Sequence, residues 1–554
     1  MGSVTQEAQL LRDVKSVAVI GAGISGVASA AHLLRYGLDV TVLEQSSIAG
    51  GVWHYDPRTA NEPTYPNEHP PIPYESDPSK ALGGKSTPEE TSFEEVSLVH
   101  APPGPCYVGL RNNVPTSLMR STLLDWPEGT EDFVSQNHLE KYVQRLAEHT
   151  GAQDKTLYDT SVESVYKVPG SPQWTVDART LIRIGLGDES EFKFVDRTWQ
   201  FDTVVVASGH YHEPRVPNIP GLLDLKQRFP DRVMHSKRYR TPEIFRDKTV
   251  FILGAGVSSL DIARESEGTA RHIYQSSRGG KFDLPPSLLP SSAQRVAGIQ
   301  AFVALEEETP GTLSSPEESP IPFEVVLDDG TRLRDVDRVV LGTGYISSYP
   351  FLGPRLQAPG VPLAEADGRV VITADGAVTH NLHKDVFYLA DPTLAFVGVP
   401  YHVSTFSLFD FQAEVVARVF AGRATLPTEA AMRREYDQRR GGENIRGEGS
   451  SGSKEFHSLW GRETEYIDEL LGWVNRDAAL LGCEAMKGVD DRWRGKRAEF
   501  AKKMKEIRRW PPVAAEEDHA DGGGYESLTV KPAEFTRTSV GKRIGASFYD
   551  FGIV

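Results

Sequence analysis

Cysteine is scarce in this 554-residue sequence: only Cys106 and Cys483 occur, far apart and outside any C-x-x-C spacing. A disulfide framework and a redox-active dithiol are thereby excluded, and a reducing compartment is expected. Long apolar runs are also missing. Nothing approaches the roughly 18 residues of a membrane span, and residues 1–10 contain no apolar signal core. Gly2 would suit myristoylation, but Gln6 stands where Ser or Thr is wanted. Positive charge is in deficit, 60 Lys and Arg against 77 Asp and Glu, a net −17 that argues against nucleic acid or an anionic membrane as partner. No metal-ligating cluster and no solenoid repeat is apparent. These absences describe a soluble, cytoplasmic protein.

What is present is ordinary globular material, 39% hydrophobic and 25% charged, in a chain long enough for several domains. Within it two glycine-rich turns share one design. The first, VAVIGAGISG, contains Gly21, Gly23, Ser25 and Gly26; the second, VFILGAGVSS, contains Gly254, Gly256, Ser258 and Ser259. In each, a buried strand precedes the glycines and a small-residue helix follows. The first glycine makes the turn, the second lets backbone approach a pyrophosphate, and the third position allows close helix packing. Ser259 is small enough for that third role. An anion then sits at the helix N-terminus, where free N–H groups and the dipole favour it.

The residues after the two turns carry opposite charge. A strand through Val40–Leu43 ends in Glu44, whereas the matching run His272–Gln275 ends in Ser276, Ser277 and Arg278. A carboxylate accepts from a free ribose diol, and an arginine with hydroxyl neighbours suits a 2′-phosphate. The first turn therefore asks for FAD or NAD and the second for NADP. Gly50, Gly51, Val52 and Trp53 make a further tight turn beside the first.

The expected fold class is α/β: two Rossmann-like dinucleotide-binding domains, one inserted into the other, with a helical C-terminal extension. Residues 1–210 form the first part of the FAD domain, with a Pro-, Glu- and Ser-rich surface insertion at about 55–105. The NADPH domain covers 211–336, residues 337–425 complete the FAD domain, and 426–554 form the extension. An amphipathic helix is expected over 137–150, a β-meander over 162–202, and a closing helix over 411–420. Two buried strands, 203–207 and 338–341, run into Ser208–Gly209 and into Gly342, Thr343 and Gly344, marking the two crossings between domains. A Gly/Ser/Glu linker is expected at 441–453 and a loose stretch at 511–525.

The order GAGISG, VLEQSSIAGGVW, LRNNVPTSLMRSTLLDWP, VVVASGHYHEPRVPNIPG, FPDRVMHSKRY, second turn and VLGTGY resembles the flavin-containing monooxygenases, class B flavoprotein monooxygenases, in their fungal-type N/S-oxygenating branch. The resemblance spans residues 17–423. The family's F-x-G-x-x-x-H-x-x-x-Y signature falls on Phe229, His235 and Tyr239, with Asp231 where glycine is usual. Tyr239 in place of tryptophan favours the N/S-oxygenating branch over the Baeyer–Villiger enzymes.

The resemblance implies a mechanism. NADPH reduces FAD, dioxygen adds to the reduced flavin as a hydroperoxide, and bound NADP⁺ shields it until a soft nucleophile (amine, sulfide or thiol) arrives. It also implies that Asn113, in Leu110–Pro115, is the catalytic residue beside the flavin, with Asn112 in the usual threonine position contributing to the cofactor site. His235 and Tyr239 become walls near the nicotinamide. Ser208, Thr343 and Gly344 become backbone crossings at FAD, and His402, Ser404 and Phe406 approach from the other side. A dimer suits the class. Three alternatives stay open: a Baeyer–Villiger enzyme acting on ketones, a flavin disulfide reductase (which needs the paired cysteines missing here), and a non-catalytic FAD/NADP redox sensor.

Overall fold

The structure, a computed structural model, describes residues 8–73, 92–185, 191–305, 319–442 and 455–509. Val17, Val19 and the run Thr203–Val206 are buried on both faces, as strands covered on both sides require. They lie at the centre of a seven-stranded sheet. Its order is Leu382–His383, Phe387–Tyr388, Leu394–Phe396, Thr203–Val206, Ser16–Ile20, Asp39–Leu43 and Thr156–Leu157, the last five strands parallel. A second sheet is all parallel, in the order Val233–His235, Arg338–Leu341, Thr249–Leu253, His272–Ser276 and Ala293–Val296. The second sheet is inserted in sequence between strands Thr203–Val206 and Leu394–Phe396 of the first. Strand Arg338–Leu341 pairs between Val233–His235 and Thr249–Leu253, so the expected boundary at 336/337 falls one strand too early.

Helix Ile24–Arg35 buries ten residues between the first sheet and helix Thr405–Phe420, itself buried at nearly every position. Small residues at Ala28, Ser29, Ala30 and Ala31 permit that close approach. One buried polar knot lies between these helices. His32 Nε2 is 3.1 Å from Asp410 Oδ1, and Asp410 also accepts from Ser121 Oγ (2.6 Å) and from Thr122 N (2.8 Å) and Oγ1 (2.6 Å). Burial opposes ionisation of Asp410, but His32 and the two hydroxyls outweigh it and hold the carboxyl below its usual range.

Helix Gln136–Thr150 buries Leu139, Tyr142, Val143 and Leu146 on one face and stops at Gly151, whose φ of +77° a residue with a Cβ disfavours. The expected meander is an antiparallel sheet of Thr160–Lys167, Trp174–Ile184 and Glu191–Phe201. The insertion is less plain than its composition suggests. It contains helix Phe93–His100, started by a capping box between Ser92 and Glu95, and Asn67 pairs with Val216 through backbone bonds. In the extension, helices Glu429–Gly442, Glu463–Leu481 and Asp491–Arg509 follow one another. Most of the 441–453 linker and the whole 511–525 stretch lie outside the described residues. Among the described residues no helix is long and apolar enough to cross a membrane.

Candidate functional site

The first glycine turn is built by exclusion of side chains. Gly21 has φ +101°, and a Cβ there would stand 2.8 Å from the Ala207 carbonyl oxygen. A Cβ on Gly26 would collide with the Gly21 carbonyl, and one on Gly51 (φ +58°) would lie 2.8 Å from Gly23 Cα. Two backbone loops thus touch, leaving a cradle with no side chain in it. Helix Ile24–Arg35 begins at Gly23 with no side-chain cap and no acidic residue in its first turn, so its N–H groups remain available to an anion. Ser25, in that turn, packs its hydroxyl against Gly398.

Glu44 is not an exposed strand end: it keeps only 8% of its surface. Its carboxylate accepts from Ala22 N (2.6 Å) and from Ser46 N (2.8 Å) and Oγ (2.7 Å). It therefore fixes the turn while retaining lone pairs for a ribose diol. Trp53 lies edge-on to Phe406, centroids 6.2 Å apart.

The second turn repeats the plan. Gly254 (φ +109°) abuts the Gly342 carbonyl as Gly21 abuts Ala207, and helix Val257–Glu265 starts at Gly256 with neither cap nor acidic first turn. Ser259 fills the space against Gly342, which explains a serine at the third position; its buried hydroxyl has no hydrogen-bond partner. Ser258 is exposed at the helix start, and Arg278 is exposed beyond the strand end. Ser276 Oγ is committed to the Ala297 carbonyl at 2.8 Å, and Ser277 Oγ bonds Asp283.

Between the turns the chain crosses twice, and the crossings pair with each other: Glu213–Pro214 runs antiparallel to Tyr345–Ile346. Gly344 O accepts from Arg215 N (2.9 Å), and Thr343 Oγ1 donates to Arg215 O. Ser208 sits against Gly21, and its buried hydroxyl has no partner. A chain of rings follows the crossing: His210 on Tyr401 (4.3 Å), His210 on Tyr211 (4.4 Å) and Tyr211 on Tyr345 (5.3 Å). Tyr211 keeps 41% of its surface, yet burial pushes its phenol up to about 12.

Three expected site residues have other duties. Asn112 is fully buried and its amide is spent locally, Nδ2 on Val114 O and Asp132 O (both 2.7 Å) and Oδ1 on Val134 N (2.6 Å). Its side chain therefore serves as the scaffold of its own turn. Its neighbour Asn113 is half-buried. Tyr239 is engaged within the chain as well. It is fully buried in a core with Tyr107 and Phe245, and its hydroxyl donates to Glu265 Oε2 at 2.7 Å. His235 stands at the crossing. Gly344 O accepts from Nε2 (3.1 Å) and Lys237 N donates to Nδ1 (3.1 Å), which sets the tautomer, while burial pushes its pKa down to about 3. A neutral histidine so placed is structural.

No sequence signal marks Gly398, Gln412 or Glu463. Gly398 (φ +101°) donates to Gln412 Oε1 at 3.1 Å, and Glu463 from the extension accepts from Ser404 N at 2.6 Å. Each depends on a contact between distant segments.

A family model described as flavin-binding monooxygenase-like matches residues 106–287 and 321–483, and one described as FAD dependent oxidoreductase matches residues 16–56. Flavin-containing monooxygenase ustF2 of Aspergillus flavus is 42% identical over 500 residues, covering 86% of this chain and 95% of that protein. The ustF1 monooxygenase of the same organism is 34% identical over 480 residues, 87% of this chain and 88% of that protein. S-allyl-L-cysteine S-oxygenase from Allium sativum is similar in structure, with a TM-score of 0.62 at 25% identity, covering 92% of this chain and 96% of that one.

Proposed function

This chain belongs to the flavin-binding monooxygenase-like family, and on that premise we propose that it transfers one atom of dioxygen to a soft nucleophile, with NADPH as reductant. One observation carries the reading: the two glycine turns are built alike and are joined by a single pair of crossings, so both nucleotides would face one cleft. FAD, when bound, supplies dioxygen activation, and NADPH supplies the hydride. The remaining work falls to the chain's own groups.

The uncapped N–H groups at residues 23–26 hold the first diphosphate, and Glu44 takes the ribose diol. The N-terminus at 256–259, with the exposed Ser258 hydroxyl, holds the second diphosphate. Arg278 pairs with the 2′-phosphate, and Ser277 shapes the loop around it. The Ser208 hydroxyl, orphaned beside Gly21, is a ready donor toward the flavin. Asn113 would supply its amide to the reacting oxygen and substrate, while Asn112 holds the turn still. The rings of His210, Tyr211, Tyr345 and Tyr401 wall the cleft and limit water.

A thioether is the favoured nucleophile, supported by the likeness to a plant enzyme named for S-oxygenation of an allyl cysteine. The same reading puts the protein in the cytoplasm, where its two free cysteines stay reduced. The test is oxygen uptake and NADPH oxidation by the FAD-loaded chain with matched thioether, tertiary amine and ketone panels. Sulfoxide formed in step with NADPH consumed is expected. Ester from ketone, or no NADPH-dependent uptake with any panel, overturns the proposal.

A further inference from the structure

We propose that the C-terminal segment 455–460 is a working part of the NADPH site: it positions the 277–283 loop through Lys281, Phe282 and His402, and so sets recognition of the cofactor's 2′-phosphate. The proposal rests on the reading that Arg278 meets that phosphate.

The loop is held at both ends by its own unit. Ser277 N donates to Val296 O (3.1 Å) and Leu284 N to Ala255 O (2.9 Å), while Gly279 N donates to Ser277 Oγ (3.0 Å) and Gly280 N to Asp283 Oδ2 (3.0 Å). Its tip reaches residues outside that unit. The Phe282 ring stacks on His402, centroids 4.7 Å apart and planes 21° apart, and Lys281 Nζ lies 2.7 Å from Glu455 Oε1. His402 is itself held by the extension: its Nδ1 is 2.9 Å from Ser458 Oγ, and Trp460 meets its ring edge-on at 5.8 Å.

His402 adopts φ +59°, a conformation that persists in a side-chain-bearing residue only when its surroundings fix it. The segment that does so is anchored to the first unit. Tyr401 N donates to His457 O (2.9 Å), Leu459 N donates to Tyr401 O (3.1 Å), and His457 Nδ1 bonds Asp385 Oδ1 (3.0 Å). Thr379 N donates to His457 Nε2, which leaves Nδ1 as the proton-bearing nitrogen. The chain of contact therefore runs from the first sheet through 455–460 and His402 to the loop that carries Arg278. Trp460 and Glu455 are positioning residues; neither needs to touch the cofactor.

The experiment uses the full-length, FAD-loaded protein and two probes, adenosine 2′,5′-bisphosphate and AMP, titrated calorimetrically. Trp460→Ala should weaken the bisphosphate by roughly three- to thirtyfold, the range for coupling through a packed element. AMP should be unaffected, and Trp460→Phe should restore most of the affinity. Glu455→Ala, at a half-buried site whose side chain makes, among the described residues, only the Lys281 ion pair described above, should weaken the bisphosphate at the lower end of that range and serves if Trp460→Ala loses its fold. If both alanine variants bind like the parent while Arg278→Ala loses the bisphosphate, the positioning role is wrong and the reading of Arg278 stands. If Arg278→Ala itself binds like the parent, that reading fails first and the proposal falls with it.

Discussion

The Tyr107 phenol donates a 2.5 Å hydrogen bond to Asp261 Oδ2 across 154 positions of sequence. Tyr107 stands just ahead of the Asn112–Asn113 turn, and Asp261 lies on the helix behind the second glycine turn. The bond thus ties the segment leading into that turn to the helix of the second unit. Burial pushes the Asp261 carboxyl up to about 7; the Tyr107 bond opposes that rise, and neighbouring Glu265 adds to it.

The consequence for stability has a definite sign. A carboxyl whose folded pKa exceeds its unfolded value takes up a proton on folding between those two values, so stability falls as pH rises from about 4 to about 7. Asp261→Asn removes that loss while leaving an oxygen for Tyr107. At pH 8 the variant should melt higher than the parent, by an amount reflecting a few kcal/mol, and the difference should shrink toward pH 5. Calorimetric Tm measured across pH checks this; a pH-independent difference would refute it.

Gly51 and Gly23 touch backbone to backbone, with no room between them for a methyl group. Gly51→Ala places a Cβ 2.8 Å from Gly23 Cα at φ +58°, and the left-handed conformation alone costs about 1–2 kcal/mol. The turn must open, and the diphosphate cradle opens with it. The expected result is a folded protein that purifies with little flavin, measured as flavin absorbance per chain. Full flavin content would show that the cradle lies elsewhere.

Asn112 and Asn113 should separate cleanly. Asn112→Ala deletes three hydrogen bonds of a fully buried amide and leaves partners unsatisfied, at about 1–3 kcal/mol for each such group. It should lower Tm and flavin retention together. Asn113→Ala should keep both and instead release hydrogen peroxide in place of oxygenated product, read as product formed per NADPH oxidised. Full coupling in that variant would remove Asn113 from the reaction.

These residues also show what a sequence can and cannot reveal. The glycine turns were legible because their chemistry is local: turn, backbone approach and helix start fall within ten residues. The helix at 136–150 was legible through the single apolar face of Leu139, Tyr142, Val143 and Leu146. The partners of Tyr239 and Asn112 were not legible, because motif position says nothing about which way a side chain turns. Tyr239 turned inward to Glu265, and Asn112 closed its own loop. Strand Arg338–Leu341 looks the same in sequence whichever sheet it joins; its register with Val233–His235 decided the matter. Contacts such as Ser404 with Glu463 leave no periodic trace at all.

That last contact is open to direct test. Glu463 keeps 1% of its surface, and its carboxylate accepts from Ser404 N (2.6 Å), Ser404 Oγ (3.2 Å) and Arg497 Nε (2.5 Å). Ser404 opens helix Thr405–Phe420 with no capping bond from its own side chain, so a carboxylate from the extension does that work. Removing one member of a buried charged pair costs about 3–5 kcal/mol, because the other charge is left without its partner. Glu463→Ala should therefore lower Tm sharply. Glu463→Ala combined with Arg497→Met, which replaces the orphaned cation with an apolar chain, should recover part of the loss. Equal melting of the single and double variants would show that the pair carries no coupling and that the extension is held to the first unit by its other contacts.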